Sequence, residues 1–122
     1  MSPLAALVRP RSESSQPLPP VDVPSIEVRD LGPLHVTWYE DGSVWARGLP
    51  PLHRALRLDG QSGAMRLRDF AQAGARIDRC TTQGALDTVR AELTHTYRGD
   101  MLLPYLMQWV QQRVRLIASG LR

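Results

Sequence analysis

The chain contains no lysine, no asparagine, a single cysteine (Cys80) and a single phenylalanine (Phe70). One thiol cannot close an intramolecular disulfide, which excludes a stapled secreted fold and makes a cytoplasmic location the expectation. Long apolar runs are missing too. The longest, Met101 to Met107, is interrupted by Pro104 and followed by Gln108, far short of the roughly 20 residues that span a bilayer, so no membrane partner is expected. No cationic start leading into an apolar stretch marks the N-terminus, and no secretory leader is expected. All fifteen basic residues are arginine, most simply the mark of a GC-rich genome. The consequence is chemical all the same, because a guanidinium fork grips phosphate or a guanine edge with two hydrogen bonds and an ammonium does not.

Reactive groupings are also scarce. His35, His53, His95 and Cys80 are the soft metal donors, and no two of them stand two residues or one helical turn apart, so neither a metal nor another cofactor is expected. There is no Gly-x-Ser-x-Gly turn, no glycine-rich phosphate loop and no carboxylate pair that a helix would bring together, which argues against an enzyme. No internal repeat is visible.

What is present fits one small domain: 122 residues, 43% hydrophobic, net charge +3. The charge is unevenly placed. Residues 26–42 carry Arg29 against Glu27, Asp30, Glu40 and Asp41, whereas residues 43–80 carry seven arginines against Asp59, Asp69 and Asp78. A positive middle after a negative hairpin is the footprint of a phosphate-contacting face, and solvated helix surfaces produce the same run. Residues 1–24 form a Pro/Ser-rich arm, expected to be disordered alone and ordered by a partner or a neighbouring copy; residues 25–122 form the domain. Ser25 to Arg29 suits a short strand before the turn Asp30-Leu31-Gly32-Pro33. Two alternating strands then meet at Asp41-Gly42, the dipeptide that best accepts a tight hairpin turn. Alternation sets His35, Thr37 and Tyr39 opposite Val36, Trp38 and Glu40, and sets Ser43, Trp45 and Arg47 opposite Val44 and Ala46.

Helices are expected at Pro50–Leu58, then at Gly63–Ala73 with Ser62 as cap and Gly74 as stop. A third runs from the cap Thr82 through Tyr97, and a last one follows the cap Asp100. Ala75 to Cys80 is open between strand and turn. The tripeptide Arg98-Gly99-Asp100 reads as a loop ending in a helix cap. The last helix carries one apolar stripe, Leu103, Leu106, Met107, Val110, Val114 and Ile117, which closes the core, forms a homodimer seam, or does both. The fold expected is α+β: a small hairpin or three-stranded antiparallel sheet on three to four helices, with an extended N-terminal arm.

Two segments carry a family likeness. Asp41-Gly42-Ser43-Val44-Trp45-Ala46 followed by Leu52-His53-Arg54-Ala55-Leu56, and Thr96-Tyr97-Arg98-Gly99-Asp100-Met101-Leu102 followed by Leu106-Met107-Gln108-Trp109, resemble the KilA-N and Bro-N DNA-binding domains of phages, prophages and DNA viruses. In this chain Asp100 is not preceded by His-Pro, and the intervening segment has no family signature. The resemblance implies an α+β DNA binder in a phage or bacterial setting. From the residues themselves, the expected nucleic-acid contacts are Arg47, His53, Arg54, Arg57, Arg66 and Arg68, with the middle arginines borne on helices. The alternative is a structural or protein-interaction subunit of a larger assembly, docked through its N-terminal arm and its C-terminal amphipathic helix.

Overall fold

A computed structural model describes residues 18–52 and 54–120. The expected disorder of the first part of the arm and the expected contact by His53 lie outside the described residues. Seven elements follow in order: β1 (Ser25–Leu31), β2 (Leu34–Tyr39), β3 (Val44–Arg47), β4 (Leu56–Arg57), α1 (Gly60–Asp78), α2 (Gln83–Thr96) and α3 (Leu103–Ala118). The strands form one open antiparallel sheet in the order β1-β2-β3-β4, with the three helices packed on one face. The domain is α+β, with one strand more than expected.

Alternation determines which side chains meet the helices. Arg29, Val36, Ala46 and Leu56 form one cross-strand row, with Trp38 beside Val44 in the next. Leu34, Val36, Val44 and Ala46 are buried against Leu67, Phe70, Ile77, Leu86, Leu93, Leu106 and Val110 of the helices. The hairpin turn forms where Asp41-Gly42 stands. Gly42 takes a φ of 89°, and Asp41 Oδ1 accepts from the Ser43 amide at 2.9 Å and the Ser43 hydroxyl at 2.6 Å, an Asx turn that pins the register.

The helix expected over Pro50–Leu58 is absent; a loop there enters β4. Two prolines remove amide donors and hold the preceding residues out of the α region. Leu56 and Arg57 pair instead with Ala46 and Trp45, and Leu58 N donates to Val44 O at 2.7 Å, so the open edge of β3 is satisfied by strand pairing. Gln108 of α3 clamps the loop: Leu49 N donates to its Oε1 at 3.1 Å, and its Nε2 donates to Leu49 O at 2.8 Å.

The second expected helix is longer at both ends than its sequence signals. It starts after Asp59 rather than Ser62 and runs through Gly74 to Asp78, taking in most of the segment left open between strand and turn. Gly74 is no stop. A Cβ there would overlap the Trp109 indole, so the glycine lets α3 approach α1 closely. Gly63 similarly leaves room for the Leu58 carbonyl. Trp109 also packs its ring against Phe70 in a tilted arrangement, centroids 5.4 Å apart and planes at 53°, and its Nε1 donates to Asp78 Oδ1 at 2.9 Å.

Thr82 caps α2 as expected, its Oγ1 accepting from Ala85 N at 3.2 Å. Thr82→Ala is expected to lower stability by about 1 kcal/mol and Thr82→Ser by much less, checked by paired thermal melts. The last helix begins later than its expected cap. Asp100 Oδ1 accepts from Leu102 N at 2.8 Å in the turn before α3, and Pro104 lies in the first helical turn, where no amide is needed. Within the apolar stripe Leu106 and Val110 are buried in the domain's own core, and Met107, Val114 and Ile117 pack partly buried against it; Leu103 is also half-buried. A seam with a second copy would therefore have only the half-buried members to offer.

Candidate nucleic-acid interface

The sheet face turned away from the helices is built from the other half of the alternation. Val28, Thr37, Trp45 and Arg57 lie in one cross-strand row and Asp30, His35 and Arg47 in the next. His35, Thr37, Tyr39, Trp45 and Arg47 line an open pocket of about 220 Å³ with Ala55 of the following loop and Pro19 of the arm. An outward-facing tryptophan is normally wet, yet Trp45 is only 5% exposed. The Arg57 guanidinium stands over its ring, 5.6 Å from the centroid, an arrangement that draws on the negative face of the indole.

Charge on this face is partly paired. His35 Nδ1 meets Asp30 Oδ1 at 2.7 Å, and Arg57 Nε donates to Asp59 Oδ1 at 2.8 Å. The Arg57 side of its pair is more than half exposed, so Asp59 competes weakly with another anion. Arg47 and Arg54 form no ion pair with any described residue. At the hairpin turn the Ser43 hydroxyl and amide hold the Asp41 carboxyl below its usual range, with the charge of Arg57 adding to the effect. Arg54 and Arg57 also line a groove beside β4 with Tyr105. Burial pushes the Tyr105 phenol above its usual pKa, opposed by the charge of Arg54.

The arginines expected to act together are thus divided. Arg47 and Arg57 share the outer sheet face, with Arg54 in the loop that leads into β4. Arg66, on α1, donates to Asp100 Oδ1 at 2.7 Å, both groups about one-third exposed, and ties α1 to the turn before α3. Asp100→Ala removes that pair together with the Leu102 amide contact and is expected to cost about 1–2 kcal/mol, read from urea denaturation. Arg68 lies on the helix side, lining a groove with Arg29, Trp38 and Leu67. His35, Tyr39 and Trp45 were not among the expected contacts, although strand alternation already set His35 with Tyr39 and Trp45 with Arg47. The step missing was β4, which brings Arg57 alongside Trp45.

Among the described residues no group of three or more His, Cys, Asp or Glu side chains is placed to hold a metal ion, and no helix is long and apolar enough to cross a membrane. Fold and site together define an open four-stranded antiparallel sheet backed by three helices, its free face bearing aromatic and guanidinium groups. No family model matches the chain, and neither a curated protein nor a solved structure does.

Proposed function

We propose that this chain is a small non-enzymatic DNA-binding protein of the cytoplasm, which lays the outer face of its sheet against the duplex. The observation that carries the reading is the placement of Arg47 and Arg57 in adjacent rows of one exposed sheet face. Arg54 follows in the loop that enters β4. Guanidinium forks on a β-surface suit phosphate and base edges, and β-ribbons and sheets enter DNA grooves as helices do. The resemblance of Asp41–Ala46 to the KilA-N and Bro-N hairpin supports the same reading. Its helical continuation through Leu56 does not carry over, since that segment is a loop and a strand here.

Fluorescence anisotropy of labelled duplex and single-stranded DNA, titrated at two salt concentrations, tests it. Three phosphate contacts are expected to give a slope of log K against log salt of about −3 on duplex DNA. Absence of binding at low salt, or binding that salt leaves unchanged, rules the reading out.

A further inference from the structure

Trp45 has a second anomaly. Its indole Nε1 is fully buried and has no hydrogen-bond partner among the described residues, although buried polar groups are nearly always paired. The same side chain lines the outer-face pocket, along with Tyr39, Thr37 and His35, and Pro19 forms part of its wall. Pro19 therefore brings a proline-rich stretch of this chain to the wall of an aromatic-lined pocket whose tryptophan carries an unpaired donor. Proline-rich segments hold an extended left-handed helix without internal hydrogen bonds, so every carbonyl they carry is open to a donor. Their rigidity limits the entropy lost on docking. Arg47 at the rim, ion-paired with no described residue, favours an acidic residue beside the prolines, as Asp22 stands beside Pro19 and Pro20 in the chain itself.

We infer that the outer-face pocket around Trp45 is a receptor for a proline-rich segment carrying a neighbouring acidic residue on a partner protein, and that the chain's own Leu18-Pro19-Pro20 stretch competes for it. The Trp45 indole donates to a carbonyl of the incoming segment, a prolyl ring packs against Tyr39 and Trp45, and Arg47 meets the acid. This interaction shares the outer sheet face and Arg47 with the proposed DNA contact, and differs from it in depending on the aromatic floor and the indole donor rather than on Arg54 and Arg57.

The test uses the full chain and its Pro19→Gly/Pro20→Gly variant, each labelled with nitrogen-15. The probe is a synthetic peptide with the sequence of residues 14–23, Ser-Ser-Gln-Pro-Leu-Pro-Pro-Val-Asp-Val. The Trp45 indole signal, assigned by its loss in Trp45→Phe, is expected to move downfield on titration. The glycine variant is expected to bind the peptide at least tenfold more tightly than the parent, in which Pro19 stands at the pocket and the arm lowers the competent fraction. A control peptide with its prolines replaced by glycine is expected to bind neither chain. An unmoved Trp45 signal in the glycine variant up to about 1 mM peptide, the weak end of specific association, overturns the proposal, as does equal binding of the control. Anisotropy with duplex DNA on the same variant keeps the two readings apart: DNA binding that persists without peptide binding removes this proposal alone, and the converse removes only the DNA reading.

Discussion

Trp109→Ala is expected to destabilise the domain by about 3–5 kcal/mol, a large part of the 5–15 kcal/mol that holds a typical domain together. The indole is 8% exposed and joins α3 to α1 and to the β1–β2 turn. Its ring lies against Gly32 in the β1–β2 turn and Gly74 of α1, where a Cβ would overlap it; it meets the Phe70 ring at a tilt, and its N–H reaches Asp78. Alanine opens a cavity between sheet and helices and leaves Asp78 without its donor. Trp109→Phe retains much of the ring contact and loses the hydrogen bond, so a cost of about 1–2 kcal/mol is expected. Urea unfolding followed by far-UV circular dichroism measures both, and a Trp109→Ala cost below about 1 kcal/mol would contradict this account of the packing. Gly74→Ala checks it from the other side. Helix propensity alone favours alanine there by about 1 kcal/mol, whereas the overlap with the indole reverses the sign.

That pair of residues also marks the limit of what the sequence makes legible. The hairpin was readable because alternation and Asp41-Gly42 are local signals, and Thr82 and the α3 stripe were readable for the same reason. Gly74 carries the local signal of a helix stop, but its role is set by Trp109, 35 positions away in the chain, and a contact of that range leaves no trace in a window of neighbours. The same applies to Leu56–Arg57. Their residue types tolerate a helix, and the demand that overrides it is the unpaired edge of β3, which exists only once the hairpin has formed. The candidate site inherited the error. With Pro50–Leu58 read as a helix, Arg54 and Arg57 fall on one helical face with Arg66 and Arg68 on the next helix. With β4 in place, Arg57 joins Arg47 and Trp45 across the sheet, and Arg66 becomes a structural partner of Asp100.

That division predicts which arginines matter. Simultaneous replacement of Arg47, Arg54 and Arg57 by alanine is expected to weaken duplex DNA binding by 10²–10³-fold, taking about 1–1.5 kcal/mol for each lost charge-assisted contact, and to flatten the salt dependence by about one unit of slope per arginine. The fold should lose little. Arg57 leaves an exposed pair with Asp59 and a stacking contact over Trp45, together about 1 kcal/mol, and Arg47 and Arg54 have no described ion-pair partner to abandon. Arg66→Ala gives the opposite signature, reduced stability with DNA affinity retained, because its charge is directed into the protein at Asp100. Arg68→Ala, on the helix side of the sheet, is expected to change neither. Anisotropy and urea melts on the same three proteins separate the alternatives. A helix-borne interface would make Arg66 and Arg68 the sensitive positions and leave the triple variant binding normally, whereas the sheet-face interface requires the triple variant to fail while it remains folded.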